Sequence, residues 1–105
     1  MNDLEICKKL AEIEGHKTLP LGEYEEGAFY IVIDNHGEVY NPLTDDALCF
    51  ELIEKYDVTF NIYHDLGGIK YYYGDLWRDS ERITIPDSKE LKRFVCLYVI
   101  ELKKR

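Results

Sequence analysis

A chain of 105 residues carries enough sequence for one hydrophobic core, and it reads as a single domain over residues 1–105. Its hydrophobic fraction of 46% excludes global disorder and makes a metal or disulfide staple unnecessary. The formal charge of −8 is uneven: residues 1–57 hold 14 Asp and Glu against 4 Lys, while the remainder holds 7 acids against 9 bases. An acidic first half repels phosphate, which argues against direct nucleic-acid binding.

Asp3 is placed to cap a first helix in which Leu4, Cys7, Leu10 and Ala11 form the apolar stripe, and Gly15 offers a left-handed stop. Residues 16–27, rich in Pro, Gly and Glu, read as a connection. The run Ala28–Ile33 is apolar without alternation, as in a strand buried on both faces, and is expected at the centre of its sheet. Asp34-Asn35-His36-Gly37 is a turn signal, after which Glu38-Val39-Tyr40 returns as a short strand. Asn41-Pro42 redirects the chain, and Leu43 or Thr44 precedes a second helix from about Asp45 to Tyr56, with Cys49, Leu52, Ile53 and Tyr56 at helical spacing. Asp45 and Asp46 in its first turn complement the helix dipole.

Val58–Tyr63 alternates, with Val58, Phe60 and Ile62 on one face. Asp65-Leu66-Gly67-Gly68 turns the chain into a partner strand, Ile69–Tyr73. Residues 74–81, which include Trp77, read as a second turn region, and Arg82–Ile85 as a last strand ended by Pro86. Asp87 with Glu90 forms a capping-box pattern for a final helix whose stripe is Leu91, Phe94, Val95, Tyr98 and Leu102. Lys103, Lys104 and Arg105 suit its C-terminal dipole. The expected order is α-β-β-α-β-β-β-α: an α+β fold with a largely antiparallel sheet and helices on both faces, or with all helices on one face.

Cys7, Cys49 and Cys96 are far apart, form no CxxC pair and fall on helices, where a small buried thiol is ordinary packing. The amino terminus lacks the apolar core of a signal peptide, and no stretch approaches the ~20 apolar residues of a membrane span. A reduced, cytoplasmic setting without membrane contact is expected.

The segment Tyr40-Asn41-Pro42-Leu43-Thr44-Asp45-Asp46-Ala47-Leu48-Cys49-Phe50 resembles the signature of the phage ABA-sandwich domain family, small proteins of bacteriophages and prophages. LEICKKLAEIEG resembles that family's opening helix, Phe94–Glu101 its closing helix, and Trp77 fits the tryptophan between them. The resemblance implies a three-layer α/β/α sandwich and an origin in a phage or prophage of a bacterial host. It implies no enzyme activity.

Asn41 to Asp46 carries the densest information. Capping chemistry explains each residue, and the competing reading is a polar rim of Asn41, Asp45 and Asp46 facing a partner. Adjacent aspartates diverge by about 100° around a helix, so they do not converge on an ion. His16, His36 and His64 have no ligand spacing, and no phosphate-cradling glycine motif occurs. No catalytic residue, metal or cofactor is therefore expected. Tyr71 and Tyr73 are assigned ordinary roles, lining the core or shielding the sheet, whereas Tyr72 and Trp77 are balanced between that and a contact surface. The favoured reading is a non-enzymatic protein-binding module, with a homodimer as one form, whose surface joins Asn41, Asp45 and Asp46 with Tyr72 and Trp77. The alternative is an acidic decoy that occupies a basic groove of a host protein. Least favoured is a nucleotide-like ligand stacked by Tyr72 and Trp77 beside Lys70 or Arg78.

Overall fold

The computed structural model describes residues 2–18, 30–33 and 36–104. The first helix, α1 (Asp3–Ile13), starts one residue earlier than expected, because Asn2 rather than Asp3 is the cap. The Asn2 side chain accepts from the Glu5 amide at 2.8 Å. Asp3 is thereby released to bond the Arg93 guanidinium at 2.6 Å. The buried stripe is Ile6, Cys7, Leu10 and Ala11, and Leu4 is exposed. Gly15, at φ +75°, ends the helix as expected. His16 and Gly15 donate to the carbonyls of Ala11 and Glu12, which closes the Schellman pattern.

Three short strands follow: β1 (Lys17–Thr18), β2 (Tyr30–Ile33) and β3 (His36–Val39). They form an antiparallel sheet in the order β1-β2-β3. The apolar run does lie on the central strand, although Ala28, Phe29 and the turn residues 34–35 fall outside the described residues, as do 19–27 and Arg105. β1 was not expected inside the 16–27 connection, and β3 begins at His36 because Ile33 pairs with it directly. The observed order is therefore α-β-β-β-α-β-β-β-α.

In α2 (Asp46–Tyr56) the cap is Asp45, whose carboxylate accepts the Leu48 amide at 3.1 Å, not Thr44 or Leu43. Asn41 explains the shift. Its side-chain oxygen accepts the Leu43 amide at 3.2 Å and its carbonyl accepts from Thr44 and Asp45, so one extra turn precedes the helix. Cys49 and Leu52 are buried and Ile53 and Tyr56 half-buried, which is the expected face. The C-terminal ends of α1 and α2 meet at Glu14. Its carboxylate accepts from Lys55 Nζ at 2.5 Å and the Tyr56 hydroxyl at 2.8 Å. Burial alone would raise this carboxyl, but those two bonds and the Lys55 charge bring it below its ordinary value.

The second antiparallel sheet contains β4 (Asn61–His64), β5 (Lys70–Arg78) and β6 (Glu81–Ser88), in that order. Asp65 builds the first turn, accepting the amides of Gly67 and Ile69 on one carboxylate oxygen, and Gly68 takes φ +80°. The expected turn over 74–81 is corrected. β5 runs through it, and only Asp79-Ser80 turns, both at positive φ, as a two-residue hairpin with the twist of its strands requires. β6 continues past Pro86, because a register shift between Tyr72 and Gly74 admits one extra β6 residue.

Ser88, not the Asp87–Glu90 box, leads into α3 (Leu91–Lys103): its hydroxyl accepts the Glu90 amide at 3.1 Å, while Glu90 stands at the cap without a side-chain bond. Phe94, Val95, Cys96, Tyr98, Val99 and Ile100 are all buried, so α3 is apolar nearly all round. It packs on β5 and β6, and α1 and α2 pack on it. Described strands thus form two antiparallel sheets rather than one, in an α+β fold with three helices. Among the described residues no helix is long and apolar enough to cross a membrane.

Tyr40 closes the core below α1, 4% exposed, with its ring 5.2 Å from that of His16. Its hydroxyl is buried without a hydrogen-bond partner among the described residues, and the same burial pushes its phenol up. An unpaired hydroxyl in such a place costs about 1–3 kcal/mol. Tyr40→Phe is therefore expected to leave stability unchanged or raise it by about 1 kcal/mol. A urea titration showing a loss above that amount would mean the hydroxyl is paired in solution.

Candidate functional site

Alternation along β5 decides which aromatics are available. Gly74 and Leu76 are buried against α3, so Tyr72 shares their inward face, and its ring meets Phe60 edge-on at 5.6 Å. Tyr71, Tyr73, Asp75 and Trp77 consequently point outward. Tyr72 and Trp77, five residues apart, lie on opposite faces of the sheet. The contact surface expected to join them is not formed, and no single base can be held between them.

On the inward side, Tyr72 stands with Leu43, Thr44 and Leu91 in an open cleft of about 800 Å³ at the start of α3. Asp46 approaches the same region, bonding Lys92 Nζ at 2.5 Å, which holds that lysine above its usual value. Thus Asp46 and Tyr72 share one neighbourhood. Asp45 is occupied by capping, and Asn41 is half-buried, accepting the Cys7 thiol at 3.7 Å as well as the Leu43 amide. Lys70 reaches over the Tyr72 ring at 5.4 Å, and Arg78 is bound to the Glu101 carbonyl, so neither forms a phosphate pair with Trp77.

The outward side is an aromatic surface that the sequence reading did not assemble. Tyr63 of β4 pairs with Tyr71, stacks on it at 5.1 Å and 15°, and meets Tyr73 edge-on at 5.4 Å. Trp77 follows on the same face and is 69% exposed. Polar groups on this face are bonded to each other. The Tyr63 hydroxyl donates to Asp87 at 2.8 Å, which raises its phenol, and Arg82 bonds Asp75. No described element packs on this side; α3 contacts β5 and β6 from the other. The available signal was Leu76. Placing that residue inward fixes the phase of the whole strand.

The cysteines lie in the helical core, all buried and all free thiols. Burial raises Cys7 to about 11, with Asp3 adding to the effect. It also raises Cys49 and Cys96, the latter further through the neighbouring thiols Cys7 and Cys49. Raised thiols are poor nucleophiles. For Cys7, a rise from 9.0 to about 11 cuts the thiolate fraction about 100-fold. Ellman titration of the native protein at neutral pH should therefore release almost no thiolate product, and guanidinium should release all three equivalents; rapid native labelling would contradict the burial of this cluster. Among the described residues no three His, Cys, Asp or Glu side chains are grouped to hold a metal ion.

Comparison of the chain with protein-family models, curated proteins and solved structures returned no match.

Proposed function

We propose that this chain is a non-enzymatic protein-binding module of phage or prophage origin, acting in the bacterial cytoplasm through the outward face of β4–β5–β6. The observation that carries the reading is the ring surface of Tyr63, Tyr71, Tyr73 and Trp77, whose accompanying polar groups are already engaged, Arg82 with Asp75 and Asp87 with the Tyr63 hydroxyl. A partner is offered apolar ring area and few open ionic groups, so it should present an apolar, uncharged protein surface in return. Tyrosine and tryptophan dominate such contacts, because they bury large area at low entropic cost. The resemblance of residues 40–50 to the phage ABA-sandwich family supports the origin. It also supports a three-layer α/β/α reading of the fold.

The test is retention from infected and uninfected host lysates, identification of the retained protein, and calorimetry with it in purified form. Trp77→Ala should weaken that complex by about 30-fold or more, the effect of losing a central anchor. Affinity unchanged by Trp77→Ala and Tyr73→Ala overturns the reading. The acidic-decoy alternative draws on α2, where Glu51, Glu54 and Asp57 are exposed. If Glu51→Lys with Glu54→Lys abolishes binding while Trp77→Ala does not, the decoy reading takes its place. These positions are preferred to Asp45, whose loss would also uncap the helix.

A further inference from the structure

We infer that the edge of β4 left unpaired by the described strands pairs antiparallel with the β4 edge of a second copy, joining two β4–β5–β6 sheets across a two-fold axis at Ile62. The inference rests on the protein-binding reading, to which it adds one partner and a seam distinct from the aromatic face.

The two edges of this sheet differ in chemistry. β6 carries Glu81, Arg82, Pro86 and Asp87, charges and a proline of the kind that keep an edge from recruiting another strand. The opposite edge, Val58-Thr59-Phe60-Asn61-Ile62-Tyr63-His64, contains no Asp, Glu, Lys, Arg, Pro or Gly. All four residues of β4 are exposed, and Ile62 is 47% exposed. Its composition is that of a strand built to be covered.

Hydrogen-bond parity shows which groups are free. The Asp65 amide donates to the Ile69 carbonyl at 2.9 Å, so Asp65 and Ile69 form a bonded pair. Bonded and non-bonded pairs alternate in an antiparallel ladder. Tyr63↔Tyr71 and Asn61↔Tyr73 are then bonded, whereas Ile62↔Tyr72 and His64↔Lys70 are not. The amide and carbonyl of Ile62 and of His64 therefore point away from β5, toward the open edge.

A two-fold axis at Ile62 sets it against the second copy's Ile62 and sets His64 against Phe60, a self-complementary arrangement of the kind a two-fold interface requires. The two Ile62 side chains cover each other on the helix side of the sheet. On the other side the pairing brings the two Tyr63–Tyr71–Tyr73 clusters into one continuous surface. No charge is buried, because the segment has none to bury.

The test uses the full chain, with sedimentation equilibrium over a hundredfold range of concentration and site-resolved amide exchange. The expected result is a reversible dimer in which the Ile62 and His64 amides gain protection as concentration rises, while the Tyr63 amide, bonded to β5, is protected throughout. Ile62→Lys puts two like charges at the axis and removes the apolar contact twice, so it should weaken self-association on the order of 100-fold. Trp77→Ala should leave the dimer intact. A strict monomer with unprotected Ile62 and His64 amides overturns the inference and leaves the aromatic-face reading to its own test. A dimer dispersed by Trp77→Ala with those amides unprotected also overturns it, placing the contact on the ring face. Exchange on the unmodified chain decides the question even if Ile62→Lys does not fold.

Discussion

Phe94→Ala is expected to lower the unfolding free energy by about 3–5 kcal/mol. The side chain is fully buried on α3, with the rings of Phe60 and Tyr98 at 6.4 and 6.3 Å, and its Cζ lies against Gly74 of β5. It is therefore the point where the central helix meets the second sheet. Truncation removes its buried area and leaves a void that α3, held by α1 and α2 on its other sides, cannot close by sliding. Against a typical total of about 5–15 kcal/mol for a domain, a loss of that size leaves a substantial unfolded population. In a urea titration the midpoint should fall with little change in slope. Leu97→Ala, on the half-buried side of the same helix, should cost much less. Equal losses at the two positions would mean that Phe94 is not the seat of the helix–sheet contact.

Gly74→Val comes next in size, with an expected loss of about 1–3 kcal/mol. An ordinary strand glycine destabilises by about 0.5–1 kcal/mol relative to alanine, so a β-branched replacement would usually help. Here the sign reverses. A Cβ on Gly74 would stand 3.2 Å from the Thr59 carbonyl oxygen and 3.3 Å from Phe94 Cζ, and valine adds two methyls to that crowding. The carbonyl belongs to the backbone and cannot yield locally, while the ring can. Combining Gly74→Val with Phe94→Leu should therefore give a loss smaller than the sum of the two, the signature of residues in contact. Strict additivity would mean that the helix and strand do not meet at this pair.

Local signals carried much of the architecture because they depend on few neighbours. Helical spacing placed Cys49 and Leu52 inside, Gly15 stopped α1 as its lack of a Cβ permits, and the Asp65-Leu66-Gly67-Gly68 turn formed where its residues demand. Caps were displaced by one to three residues, from Asp3 to Asn2, from Thr44 to Asp45, and from Asp87 to Glu90. Several side chains near each helix start can accept an amide, and their other partners decide between them: Asp3 has Arg93, and Asp87 has Tyr63.

The aromatic surface was not legible in this way. Tyr71-Tyr72-Tyr73 is the same residue three times, so its alternation carries no mark of which face is the inner one. The phase comes from Gly74 and Leu76, which meet α3, a helix remote along the chain. Likewise, Gly74 to Glu81 reads as a turn region because it holds Gly, Asp and Ser. Strand pairing with β6 overrides those preferences and confines the turn to Asp79-Ser80. By itself the chain determined its helices, their apolar faces and the turn at Asp65–Gly68, since these follow from residues within one turn or one hairpin of each other. Tertiary contacts alone decided which tyrosines face outward and that Tyr72 and Trp77 part company, because a strand has two equivalent faces until something packs against one of them.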